Sequence, residues 1–332
     1  MILSWQLVRF KLKEVFSIAY GEYTHREALI VTIDYNGFTG YGECTAVDYY
    51  QISLTDCSQK LESVKKIIEK QKIISPFDFY NFIVSLHLSS FLRSALDCAY
   101  WDLFGKLENK SFLELNDIIP KTLPESSITI SVAPVEEQIK KIVHSNWTKF
   151  KVKCNRFHEK DIKLLLRLDK NISLDSNGSF TKEDCVWFEN YKASNSFTYI
   201  EQPMKMGEAN YKQLNPNLSV NWMADEDCQN VLDLEILQSH YRSINIKLMK
   251  CGGLTPALQM IADARKLNFK IMIGCMTEST IGISAGAVLA TLCDYVDLDG
   301  ANLISNDIAS GSEIIFGKIQ LSEKPGLGIS LL

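Results

Sequence analysis

Apolar and polar positions alternate along the first part of the chain. Val31 and Ile33 within 28–35, a shorter run at 7–10, and the turn residues Asn36-Gly37 ahead of a strand ending at Gly42-Glu43 predict a β-hairpin. The period then lengthens. Segments 58–70, 76–84 and 90–105 carry apolar residues at helical spacing, clearest at Leu92, Ala95, Leu96, Ala99 and Leu103, so residues 1–124 are expected to form an α+β domain.

Beyond Pro124 the pattern changes to eight short apolar runs, at 128–131, 150–153, 172–175, 199–201, 222–224, 244–247, 271–274 and 295–297. They recur about 20 to 27 residues apart, separated by helical stretches such as 257–267 and 279–292. That grammar predicts an α/β catalytic domain over 125–310, a TIM-type (β/α)7β barrel capped by the N-terminal domain. A doubly wound open sheet is the alternative, because spacing alone does not prove closure. The segment 311–332 holds one more strand-like run, 318–321, and Pro325-Gly326-Leu327-Gly328, and is expected to return to the cap.

In such barrels the site lies at the C-terminal ends of the strands. Run two ends in Lys151 and Lys153, run three in Asp175, run four in Glu201, run five in Asp225 and run six in Lys247. Singly, each is best read as a solvated loop charge. Their common phase in consecutive repeats argues otherwise. Three carboxylates on adjacent strands make a hard oxygen cluster suited to Mg²⁺, with Asn177 placed to orient a ligand. Lys151 and Lys153, two apart on a strand, share one face. Crowding should lower the pKa of one of them, giving a general base. Lys247, four runs on, would stand across the ring, a geometry for inversion at carbon rather than hydrolysis. Glu278 is placed to reach the mouth and touch substrate, with a solvated acid as the plainer reading. Loops 18–22 and 48–53 are expected to cap the barrel and exclude water.

Composition narrows the partners. The chain has 332 residues, 46% of them hydrophobic, enough for a sizeable core. A net charge of -5, with 35 basic and 40 acidic residues intermixed, offers no basic stripe for nucleic acid. No window approaches 18 apolar residues and the N-terminus lacks the order of a signal peptide, so a soluble, untargeted protein away from membranes is expected. Nine cysteines without CxxC pairs point to free thiols in a reducing compartment, the cytoplasm. Cys154, Cys251 and Cys275 follow strand-like runs, where apolar packing is favoured over a nucleophilic role.

Gly42-Glu43, the Lys-x-Lys at 151–153, the three carboxylates, the Lys-x-x-Lys-x-Gly-Gly from Lys247 to Gly253 and the Pro-Gly-Leu-Gly terminus follow one another in an order that resembles the muconate-lactonizing branch of the enolase superfamily. The resemblance implies Mg²⁺ at Asp175, Glu201 and Asp225, with Lys153 and Lys247 as acid/base pair around an enediolate, the arrangement general for such sites. Asp297-Leu298-Asp299 at the end of run eight is similar to the feature by which dipeptide epimerases hold the substrate's α-ammonium, and a surface turn is the alternative. Asn302 and Ser305 are expected to complete that pocket. The implied activity is Mg²⁺-dependent 1,1-proton transfer at the α-carbon of the C-terminal residue of an L,L-dipeptide. An o-succinylbenzoate synthase, an N-acylamino acid racemase, or a non-catalytic binding barrel are the other readings.

Two departures bear on specificity. Asp175-Ser176-Asn177-Gly178-Ser179-Phe180 stands where relatives carry Asp-Ala-Asn-x-x-Trp. The place of the arginine that pairs the glutamate in Ala-Glu enzymes is Gly21, with Glu22 beside it and Arg26 expected to lie too far along its strand. Strict Ala-Glu specificity is therefore not implied. A hydrophobic and a cationic second residue both stay open, as does association into a homo-oligomer.

Overall fold

The computed structural model describes residues 1–215 and 220–332. Three antiparallel strands open the chain: β1 (Ile2–Ile18), β2 (Gly21–Tyr35) and β3 (Phe38–Thr45), in that spatial order. Asn36 (φ 50°) and Gly37 (φ 81°) form the tight β2–β3 turn. β1 is much longer than the 7–10 run: buried Leu12 continues the alternation past Phe10, and pairing with β2 resumes at Phe16–Ile18 after a register shift between Lys11 and Phe16. Strand pairing extends it where apolar alternation does not.

Three helices follow, α1 (Leu54–Glu69), α2 (Pro76–Val84) and α3 (Ser90–Glu108), whose N-caps Ser53, Ser75 and Ser89 accept from backbone N–H groups of their first turns. α3 is buried on most sides, and β3 lies directly on it. A Cβ on Gly40 would meet Ala99 O at 2.0 Å and one on Gly42 would meet Ala95 O at 1.9 Å, so only glycine permits this approach.

Eight parallel strands then run in chain order: β4 (Ile128–Ile130), β5 (Lys149–Lys153), β6 (Asn171–Asp175), β7 (Ile200–Glu201), β8 (Trp222–Ala224), β9 (Ser243–Lys247), β10 (Lys270–Gly274) and β11 (Tyr295–Asp297). The two ends of this sheet meet. Ser126 bridges Val296, and Ser127 N donates to Val296 O at 3.0 Å. Unbroken sequential order with touching ends is a barrel, and the open doubly wound sheet is excluded. Tyr199, Met223 and Met272, with Tyr295, fill its interior. Helices such as Leu254–Lys266 and Thr280–Ala287 pack outside.

Cap and barrel are locked together by buried polar groups. Glu43 at the end of β3 accepts from Ser279 N (3.1 Å) and Ser279 Oγ (2.5 Å), at the start of helix Thr280–Ala287. Asp97 of α3 accepts from Thr255 N (2.9 Å) and Thr255 Oγ1 (2.7 Å), at the start of helix Leu254–Lys266. The C-terminal segment closes on α3: Leu327 N donates to Asp102 Oδ1 (2.8 Å) and Lys106 Nζ to Ile329 O (3.0 Å). Among the described residues no helix is long and apolar enough to cross a membrane.

Candidate active site

Strand register sets the level of the charged residues before any side-chain contact. Lys153 pairs with Asp175 and Asp175 with Glu201 across β5, β6 and β7, while Gly274 pairs with both Lys247 and Asp297 across β9, β10 and β11. The charges therefore share one rim. Lys151 and Lys153, with buried Val152 between them, turn to one face as strand alternation requires.

The resulting network is buried and densely paired. Lys153 Nζ donates to Asp175 Oδ2 (2.5 Å) and Asn177 Oδ1 (3.3 Å). On the far side Lys247 Nζ donates to Asp225 Oδ2 (2.8 Å). Lys151 bonds Asp297 and stands 3.5 Å from Glu201 Oε2 and 3.8 Å from Asp175 Oδ2. Asn245 Nδ2 holds Glu201 Oε1 at 2.7 Å, whereas Glu201 Oε2 is buried with no hydrogen bond. Burial first, and then the charge of Asp175, pushes Glu201 up to about 8. Burial also opposes ionisation of Asp225, but Lys247 and Lys250 outweigh it and hold that carboxyl well below its usual range.

At Lys151 burial lowers the proton affinity, but Asp297, Glu201 and Asp175 outweigh it and its pKa rises, against the lowering that crowding by Lys153 alone would give. Lys247 likewise goes up, because Asp225 and Glu201 outweigh its burial. Anionic neighbours, more numerous than the ammonium groups, decide the sign.

Oxygen donors at one level of three adjacent strands, mutual repulsion and an orphaned carboxylate oxygen are what a hard divalent cation would satisfy. As they stand, no three acidic, histidine or cysteine side chains among the described residues enclose an ion. The lysines occupy the carboxylate oxygens instead, and they are the groups an ion would displace.

A cavity opens above this rim, lined on the cap side by Phe16, Ile18, Tyr20, Arg26, Val47, Tyr49 and Tyr50 and on the barrel side by the three lysines, Asn177, Asp225, Asp297 and Asp299. Asp297 Oδ1 accepts from Ser127 Oγ (2.6 Å) and Asp299 Oδ2 from Thr129 N (2.6 Å). Burial, then the charge of Asp297, raises Asp299 to about 6.

Several expected residues lie elsewhere. Gly21 and Glu22 do not line the cavity; exposed Glu22 accepts from Ser17 Oγ at 3.2 Å. Arg26, expected to be too far along β2, does line it, because the chain folds back so that Arg26 reaches Ala46 O at 3.2 Å. Glu278 is buried, neither solvated nor on the cavity wall, its Oε1 accepting from Met276 N at 2.6 Å. Burial and the nearby charge of Glu43 push it up to about 8. Asn302 turns to Ile314 O (2.9 Å) and Ser305 to Lys11 O (3.0 Å), away from the pocket. Cys154 and Cys251 are each pushed up to about 12 by burial, and Cys275 is raised for the same reason, so these thiols stay protonated.

Sequence reasoning missed three participants. Lys250 donates to Asp225 Oδ1 (2.6 Å), to Asp225 O (2.5 Å) and to Asn245 O (3.0 Å). Its signal was the i, i+3 spacing from Lys247. Asn245, two before Lys247 on β9, shares that residue's inward face. Glu226 directly follows Asp225; its Oε1 lies 2.8 Å from the Tyr20 hydroxyl and accepts from Asn177 Nδ2 at 3.2 Å.

Residues 134–332 match the family described as Enolase C-terminal domain-like. The chain is 34% identical to an L-Ala-D/L-amino acid epimerase of a Maribacter species, covering 100% of this chain and 99% of that protein. It is also 34% identical to an L-Ala-D/L-amino acid epimerase of Flavobacterium johnsoniae, over 97% of each. A dipeptide epimerase of Enterococcus faecalis, solved with Mg and L-Leu-L-Tyr, superposes with a TM-score of 0.89 at 26% identity, covering 99% of both chains. With this site on this barrel, the chain belongs to the enolase superfamily, in the group of the dipeptide epimerases.

Proposed function

We propose that the protein is a Mg²⁺-dependent epimerase that inverts the α-carbon of the C-terminal residue of an L,L-dipeptide by proton transfer between Lys153 and Lys247. Two buried lysines, on strands four apart in an eight-strand ring and each bonded to a carboxylate of one cluster, carry this reading. Asp175, Glu201 and Asp225 would hold the ion, with Glu201 Oε2 the oxygen that most needs one. Bound there, Mg²⁺ would withdraw charge from the substrate carboxylate, acidify the α-proton and lower the proton affinity of the lysines.

One lysine then takes the α-proton from one face of the carbon and the other returns a proton to the opposite face. Lys151, spanning Asp175, Glu201 and Asp297, keeps Asp297 at a fixed separation from the two metal-side carboxylates. Asp297 and Asp299 receive the α-ammonium at the other end. The Maribacter and Flavobacterium relatives and the L-Leu-L-Tyr complex support a substrate range beyond Ala-Glu. In this reading residues 1–124 with 311–332 form the cap over the barrel at 125–310. All nine cysteines are free, which supports a cytoplasmic location.

Incubation in D₂O with Mg²⁺ should add deuterium at the α-carbon of the C-terminal residue, and Lys153→Ala and Lys247→Ala should abolish the exchange. Absence of exchange across a broad L,L-dipeptide library overturns the proposal. A second reading, racemisation of an N-acylated amino acid, is favoured by Asp297 being already bonded to Lys151 and Ser127. Asp299→Asn separates them: turnover collapses for a substrate with a free ammonium and persists for one without.

A further inference from the structure

We infer that the two side chains of the dipeptide meet different walls, and that the wall facing the C-terminal residue, built from Tyr20, Tyr49 and Tyr50, selects a large apolar or aromatic side chain. This deepens the epimerase reading and rests on it. The two ends of the cavity are told apart by their neighbours. Tyr20 Oη lies 2.8 Å from Asn177 O and 2.8 Å from Glu226 Oε1, beside the metal-side carboxylates. The Tyr49 ring stacks on Tyr20 (centroids 4.5 Å, 20°), and Tyr50 meets Tyr49 edge-on (5.0 Å, 89°) and leans on Phe91 (5.4 Å). The stack of Tyr49 on Tyr20 and the edge contact of Tyr50 with Tyr49 keep all three rings over the same half of the mouth, where Tyr20 meets Glu226.

The opposite half holds Asp297, Asp299, Thr129, Phe16 and Leu303. There a bridge from Leu12 to Ile304 and a bond from Ser305 N to Lys11 O (2.9 Å) press β1 against the turn Gly300–Leu303. A dipeptide with its carboxylate at the metal side and its ammonium at Asp297 and Asp299 therefore turns its C-terminal side chain toward the tyrosine wall.

That wall suits an apolar group. Tyr20 has its hydroxyl committed, and its flat stack with Tyr49 offers a rigid aromatic face. Arg26, the cap-side cation lining the cavity among the described residues, is a poor receptor for a substrate acid. Its guanidinium lies 4.3 Å above the Tyr23 ring and donates to Ala46 O, and the residue is only 7% exposed. A glutamate side chain would also approach the Glu226 carboxyl, which offers it no cation.

The test is kcat/KM for deuterium incorporation with L-Ala-L-Phe, L-Ala-L-Leu and L-Ala-L-Met against L-Ala-L-Glu and L-Ala-L-Lys. We expect the apolar set to lead by roughly tenfold or more, the scale on which pockets discriminate side chains. Tyr49→Ala should reduce that lead about tenfold, mainly through KM, whereas Tyr49→Phe, which retains the ring, should keep it. Equal rates, or a preference for the glutamate or the lysine dipeptide, overturn the inference while leaving the epimerase reading intact. No exchange with any dipeptide overturns both. If Tyr49→Ala is poorly folded by circular dichroism, the wild-type ratios decide alone.

Discussion

At the residue scale, the informative feature is how one aspartate is held from both sides. Asp225 has one carboxylate oxygen on Lys247 and the other on Lys250, and Lys250 in addition grips the backbone of Asp225 and Asn245. Lys247 has the chemistry to move protons; Lys250 has only 4% exposure and three fixed contacts, so it acts as a positioning residue. Lys250→Met keeps the length and loses the charge. It should weaken Mg²⁺ binding by roughly 10- to 100-fold, the usual cost of removing a group that orients a metal ligand. Isothermal titration with Mg²⁺ alone reads this directly, and unchanged affinity would reduce Lys250 to a structural pair. The motif Lys-x-x-Lys was legible in the chain. Which lysine faces substrate was not, because that depends on where the short helix Leu248–Cys251 sends each side chain.

At the element scale, the join between cap and barrel is made by helix ends. Asp97, fully buried in α3, caps the helix Leu254–Lys266, and a Cβ on Gly253 would meet Asp97 Oδ2 at 2.4 Å. Burial lifts Asp97 to about 7, although the bonds from Thr255 and Leu254 pull it down. A carboxyl raised in the folded state contributes stability that is full below its unfolded pKa of about 4 and lost as pH climbs through the folded value. Wild type should therefore lose stability relative to Asp97→Asn between about pH 4 and pH 7 and run parallel to it above. Urea unfolding at three pH values tests this, and parallel curves throughout would show that Asp97 is ionised at all of them. Element existence was readable from period alone: 76–84 and all eight barrel runs recur within about two residues of the observed bounds. The extension of β1 was not, since the alternation breaks at the register shift between Lys11 and Phe16 and only pairing with β2 carries the strand on to Ile18.

At the scale of the whole molecule, lysines hold the carboxylate oxygens that would bind Mg²⁺. The metal-free rim is held by Lys153–Asp175, Lys151–Asp297 and Lys247–Asp225 pairs, so an ion there must add more than it releases. A ligand at 100 times its Kd stabilises the folded state by about 2.7 kcal/mol, which for a chain of this size raises Tm by roughly 3–8 °C. Differential scanning calorimetry with Mg²⁺ and then with EDTA should reproduce and reverse that shift. Its absence would remove the carboxylate cluster as a metal site. The sequence by itself determined the periodic elements, the barrel repeat and the common phase of Lys153, Asp175, Glu201, Asp225 and Lys247, because strand alternation and repeat length are local properties that survive without a partner. Only the tertiary structure decided ring closure at Ser126 and Val296, the raised proton affinity of Lys151 and Lys247, and the tyrosine wall. Each of these depends on groups far apart in the chain, whose distances no local pattern encodes.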